Sequence, residues 1–337
     1  MILFILLVLG VALFLYLILG GADFGAGVIE IFTGKRSIHT ITKAIAPVWE
    51  ANHIWLILVV VIVFNGFPKV YATLSNYLHI PIMIVLMGII FRGTAFTFRH
   101  YDVDQTQPHP YYNLFFRLSS IITPFFLGVL LGAMVLGKMT VDESQGFYAV
   151  YIAPWFNGFC FSMGLFVVSL CSYLAAIFLV GESKKESEIR RFHKLIKQTL
   201  ASAIVSGMLV FASAQWYGAS LVDDFLASPI SLLFIFLASA LIPLILKYIR
   251  IFSVWRIRKV VVVQIAFILW AWALVQYPVF IKFSNGEFLS IDNCHAPIRT
   301  FEQLTLAIVI GLSIILPALG YLFKVFKQPN TTQDKVV

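Results

Sequence analysis

The stretch PVWEANHIWLILVVVIV, residues 47–63, sets a glutamate, an asparagine and a histidine directly before an unbroken run of hydrocarbon. From residue 48 to residue 66 the segment has the length of a bilayer crossing. Glu50 and His53 are three residues apart and share a helix face, while Asn52 points away from it. An ionisable group in hydrocarbon costs on the order of a few kcal/mol. These side chains therefore need a reason to be there.

The rest of the chain has the same character. It has 337 residues, 60% hydrophobic and 12% charged, against about 25% charged in soluble domains. Its mean hydropathy is +0.93. These values imply an all-α polytopic membrane protein. The net charge of +8 then marks one side of a bilayer, and no nucleic-acid partner is expected. Cys160, Cys171 and Cys294 form no CxxC motif. On one helix the first two would stand about 16 Å apart, beyond the reach of a bridge. Neither a disulfide nor a cysteine-bound metal or iron–sulfur cluster is expected. The chain is apolar from Met1, and its first basic residue is Lys35. The first segment is therefore expected to be a retained span and not a cleaved signal.

Nine segments read as transmembrane helices: 1–33, 48–66, 77–99, 114–137, 152–180, 197–217, 229–249, 260–283 and 302–326. Pro47, Pro81, Pro124, Pro154 and Pro229 fall at or near their starts. Of the 24 lysines and arginines, all but Lys69, Lys138, Lys282 and Arg299 fall on one side. The positive-inside rule places the N-terminus outside and the C-terminus in the cytoplasm. A faint repeat joins APVWEANHIWL (46–56) to APWFNGFCFSMGL (153–165). It reads equally as a duplicated bundle or as proline helix starts beside interfacial tryptophans.

The first span carries ILGGADFGAGVIEIFTGK, residues 18–35. At 100° per residue, Gly20, Asp23, Gly27, Glu30 and Gly34 fall within about 60° of one direction. Glycines let a neighbouring backbone approach, so the acids on that stripe face protein. GGADFGAG follows no strand and is no dinucleotide fingerprint. With the orientation above, Asp23, Glu30, Glu50 and His53 lie towards the cytoplasm, and Arg92 of the third span reaches the same depth. A carboxyl raised by burial and lowered by a nearby arginine can exchange protons near neutrality, and a histidine titrates there too. Two readings stay open: a proton entry route, or acids paired statically with Arg92. Glu50 has no basic residue one turn away and is the leading proton carrier. Among the histidines only His53 falls within a span, so paired axial haem ligands are not expected. The outer loop with Asp292, Cys294 and His295 fits no strong metal pattern. The charged stretch 181–197 reads as a solvated helix end or a contact with anionic lipid.

GGADFGAG (20–27), IAPVWEANHIWLI (45–57), NGFPKVYA (65–72) and FRGTAFTFR (91–99) together resemble subunit II of the cytochrome bd quinol oxidases. The resemblance is strongest over residues 18–100. It implies two four-helix bundles, 1–140 and 145–283, an extracytoplasmic loop, 284–301, and a peripheral ninth helix with a cytoplasmic tail, 302–337. It also implies a complex in a bacterial cell membrane that oxidises quinol and reduces dioxygen to water. In the family, two haems b and one haem d belong to the homologous subunit I, the heterodimer partner. Subunit II supports assembly and contributes part of a cytoplasmic proton route, with no catalytic centre and no cofactor of its own. Glu50 matches the family's acidic proton-path position, which is often Asp. Asp23 matches the acid of the glycine stretch, and Arg92 the arginine of Phe-Arg. Trp49, Asn52 and Trp55 match the rest of the second-span motif, whereas His53 stands where relatives carry other polar residues. Compact loops resemble the Gram-positive form and favour menaquinol. A small single-span accessory subunit, lipids or a quinone are further expected partners. The reading from a different class is a proton-coupled secondary transporter using Asp23 and Glu50. It would call for matching broken helices in two halves, and the second half holds no such polar cluster.

Overall fold

In hydrocarbon every backbone N–H and C=O must be satisfied within the protein, and a helix does so alone. Among the described residues nine helices are long and apolar enough to cross a membrane. They are Ile2–Thr33, Trp49–Gly66, His79–Arg99, Tyr111–Leu136, Gly158–Val180, Glu186–Tyr217, Pro229–Arg250, Val254–Gln276 and Ile298–Leu322, called spans 1 to 9. The computed structural model describes residues 1–46, 49–101, 110–183 and 186–327. Pro47, His109, Lys184, Lys185, Lys335 and the rest of the tail from 328 lie outside the described residues. So do the side chains of Lys35, Arg36, His100 and Lys327.

Span 1 packs against spans 2, 4 and 5; span 4 also meets span 3 and span 5; span 5 meets spans 6 and 8. Span 7 packs on span 8, and span 9 lies along spans 1 and 2. Where backbones meet, the sequence supplies glycine. A Cβ on Gly25 of span 1 would overlap the Cys171 carbonyl of span 5. A Cβ on Gly128 would sit 2.6 Å from Met163 O and 2.7 Å from Gly164 Cα. Gly25 is off the stripe picked out in the sequence. From Asp23 to Glu30 every residue is buried, so this part of span 1 is enclosed on all sides and not along one face. Gly25→Val is expected to cost at least about 3 kcal/mol, since nothing but backbone can give way. A fall in the thermal midpoint of the purified protein would show it.

Boundaries of spans 5, 6, 8 and 9 differ from those expected by four residues or more, span 8 already beginning at Val254 instead of 260. Span 6 starts at Glu186, eleven residues before the expected 197. Phe192 and Ile196 of the charged stretch are fully buried, packed with Ile41 and Ile45 of the linker helix Ile38–Ile45. That stretch is amphipathic, and Thr40 donates to Glu188 Oε2 at 3.1 Å. Span 8 ends at Gln276 rather than 283. Pro278 lacks an N–H and disfavours a helical residue before it. Strand β1, Val279–Lys282, instead pairs antiparallel with β2, Phe288–Ser290. Span 9 starts at Ile298, directly after Pro297, and so takes in residues assigned to the outer loop. Span 5 starts at Gly158, where the Asn157 side chain accepts from the Cys160 N–H at 3.0 Å. Trp155 lies before that helix, whereas Trp49 begins span 2, so the two tryptophans are placed differently.

Behind the hairpin, Lys69 donates to Asn293 O at 2.9 Å, and Cys294 is fully buried. All three cysteines are free thiols. Burial pushes the Cys294 thiol up to about 11. At pH 7 only about one such thiol in ten thousand is ionised, and the thiolate is the reactive form. Maleimide is therefore expected to leave Cys294 unlabelled in the native protein at neutral pH and to label it after unfolding. Mass spectrometry of labelled peptides reads this.

Candidate functional site

The site is built on a coincidence of spacing. Asp23 and Glu30 are seven residues apart on span 1, and Arg92 and Arg99 are seven apart on span 3. Seven residues are about two helical turns, so one face of each helix carries its two charges at matching heights. Both ion pairs join residues 69 apart.

Asp23 and Arg92 form a forked pair. Arg92 Nη1 donates to Oδ2 at 2.5 Å, and Nη2 donates to Oδ1 at 2.7 Å and to the Asp23 carbonyl at 2.8 Å. Arg92 Nε donates to Ser120 Oγ of span 4 at 3.2 Å. The guanidinium lies between the rings of Phe24 and Phe116, at 4.9 and 5.0 Å. Arg92 is only 2% exposed and Asp23 only 4%. Such a planar fork matches a carboxylate better than an ammonium would.

Glu30, fully buried, takes two arginines. Arg99 Nη1 donates to Oε2 at 2.7 Å, and Arg117 Nε of span 4 donates to Oε1 at 3.0 Å. Arg99 Nη2 also donates to Ile38 O at 3.2 Å, fastening the linker helix. Phe116 stacks beneath Arg99 as well as Arg92. The sequence reading placed Arg99 and Arg117 at the cytoplasmic surface and did not pair them with Glu30. The repeated seven-residue offset was the signal for Arg99. Arg117 carried none.

Span 2 sends its polar residues three ways. Asn52 is buried, and its Nδ2 donates to Leu19 O of span 1 at 3.3 Å. That carbonyl lies in a widened π-helical turn, Tyr16–Gly20. Such turns leave a backbone group in need of a partner, and they recur at functional sites. His53 is half-buried against the rings of Tyr16 and Phe24, at 6.4 and 6.1 Å. Trp49 packs on Phe96 at 5.4 Å, over the bare Gly93. Glu50 is exposed and makes no hydrogen bond or ion pair with any described residue. The structure thus separates what the sequence reading had gathered at one depth. Asp23, Arg92 and His53 are neighbours, Glu30 sits in its own arginine pair, and Glu50 stands on the outer surface of span 2.

Two or more histidines facing an open cavity would be needed to ligate a haem through paired axial bonds. His53 does not fit that task, since its ring is packed edge-on against Phe24. Among the described residues no three His, Cys, Asp or Glu side chains converge as a metal site.

Residues 1–326 match the family model of the cytochrome bd terminal oxidase subunit II. The chain belongs to that family. Among curated relatives of this subunit II, the cytochrome bd ubiquinol oxidase subunit 2 of Bacillus subtilis is 28% identical over 204 residues. That alignment takes in 60% of this chain and 59% of the relative. The cytochrome bd-I ubiquinol oxidase subunit 2 of Escherichia coli K12 is 24% identical over 206 residues, 60% of this chain and 52% of the relative. The chain thus spans less than two thirds of these curated relatives. A chain in the structure of bd oxidase from Geobacillus thermodenitrificans has the same fold. Its TM-score is 0.76 at 19% identity, covering 97% of this chain and 98% of that one. Subunit II is accordingly a multi-pass membrane protein with an all-α, nine-span fold among its described residues.

Proposed function

We propose that this subunit II is the non-haem partner in a quinol:dioxygen oxidoreductase of a bacterial cell membrane. The observation that carries the reading is the family match across residues 1–326. A homologous subunit I holds two haems b and one haem d and oxidises the quinol, with menaquinol favoured. Spans 1–4 and 5–8 act as two four-helix bundles beside it, with span 9 at the periphery. The N-terminus lies outside and the C-terminus in the cytoplasm, as the basic residues require. A single-span accessory subunit, lipid or quinone completes the assembly.

Within that assembly Glu50 carries protons. Supporting this, it is the one acid of the three with no arginine partner among the described residues. It faces outward from span 2, where a partner surface can cover it. Asp23 and Glu30 line the same route as fixed charges. Every oxygen of their carboxylates already accepts from a guanidinium, so they hold spans 1, 3 and 4 in register around it. Trp49, Asn52 and Arg92 keep span 2 and span 1 in place.

The test is purification of the tagged chain in mild detergent. Co-elution of a second polytopic subunit, with oxygen uptake on addition of quinol, is the expected result. A chain that elutes alone and consumes no oxygen contradicts the proposal.

A further inference from the structure

The interior of this chain holds two polar atoms that the proton-route reading does not use. Tyr16 is 8% exposed, and its hydroxyl is shielded without a hydrogen-bond partner. His53 Nδ1 is shielded and unpartnered too. The two rings touch, with centroids 6.4 Å apart and planes at 47°. Phe24 closes the group edge-on to both. Tyr16 opens the π-helical turn and lies over Gly20, where a Cβ would come within 2.9 Å of the ring. Ala12, Trp55 and Leu319 of span 9 pack around it and shut out lipid.

A hydroxyl and an imidazole nitrogen cannot both stay unpaired in such a place without cost. Their donor and acceptor capacities are complementary. We infer that Tyr16 and His53 together hold an ordered water molecule between spans 1 and 2. The water accepts from the Tyr16 O–H and donates to His53 Nδ1, and so fixes the tautomer with its proton on Nε2. Buried waters satisfy groups of this kind, with two to four polar partners each. The charged groups around the site are Asp23 and Arg92, near both rings, and Glu50 one turn back on span 2, with the neutral thiol of Cys171 beside Tyr16. With the role proposed for Glu50, the water site would add an inward polar branch beside the Asp23–Arg92 pair. The water site stands on this chain alone. Its place in a proton route rests on the function proposed above.

The experiment is a cryo-electron microscopy map of the purified protein with its co-eluting partner, at a resolution that shows ordered water, for wild type and Tyr16→Phe. The expected result is a density peak within hydrogen-bond distance of Tyr16 Oη and His53 Nδ1, absent in the variant with the His53 ring unmoved. A wild-type map with no peak there overturns the inference, whether or not haem is present. Oxygen uptake reads the role separately. Tyr16→Phe is expected to lower turnover by at most about tenfold, the equivalent of one hydrogen bond, with a larger solvent deuterium isotope effect and an unchanged haem spectrum. Unchanged turnover and isotope effect, with the water peak present, would leave a structural water and remove the branch from the route. Absence of any haem partner would count against the proposed function and not against the water site.

Discussion

Arg92→Leu is expected to destabilise the protein by about 3–5 kcal/mol, because it leaves Asp23 as an unpaired carboxylate in the interior. Among the described residues Asp23 makes no other ion pair, and the Ser120 hydroxyl and the rings of Phe24 and Phe116 lose their contacts at the same time. The chain should fail to accumulate in membranes, or unfold well below the wild-type temperature. The double variant Asp23→Leu with Arg92→Leu should recover much of the loss, since apolar residues often replace a buried pair at little cost. Arg99→Leu should cost less than Arg92→Leu, because Arg117 remains on Glu30. Thermal midpoints of the four proteins decide this. A wild-type midpoint for Arg92→Leu alone would show that the pair does not hold the spans together.

Glu50→Gln should behave in the opposite way. The side chain is exposed and unpaired among the described residues, so stability should shift by no more than about 0.5 kcal/mol. If Glu50 passes protons, turnover should fall by about a hundredfold, the lower end of what one proton-transfer group contributes. Haem content and spectrum should be unchanged. Glu50→Asp should retain most of the rate, because it keeps the titrating group. Turnover per haem, measured by oxygen uptake, separates the roles. Loss of haem and assembly in Glu50→Gln would make its role structural instead.

These contrasting expectations arise from geometry that the sequence carried unevenly. The nine spans were legible because length and hydropathy alone identify a bilayer crossing. Their ends were less so. The charged stretch before 197 hides its amphipathic face among lysines and arginines, and the strand Val279–Lys282 is as apolar as the helix before it. Only Pro278 marked the change. The pairing of Asp23 with Arg92 was open in the sequence as one of two readings. The pairing of Glu30 with Arg99 was encoded in equal seven-residue offsets on spans 1 and 3, a pattern that needs the helix neighbours to be known. The exposure of Glu50 could not be read at all. Lipid is as apolar as a packed interior, so the hydrophobic pattern of a span does not say which face is inside. Tyr16 was equally hidden, an aromatic in a hydrophobic run whose importance lies in a helical irregularity.

The proposed function requires this chain to work beside a haem-bearing partner. The most direct measurement is a dithionite-reduced minus oxidised spectrum of the complex purified through a tag on this chain. Bands of haem b and haem d are expected from a preparation containing two polytopic subunits. A colourless single protein, from cells that make haem d, would contradict it.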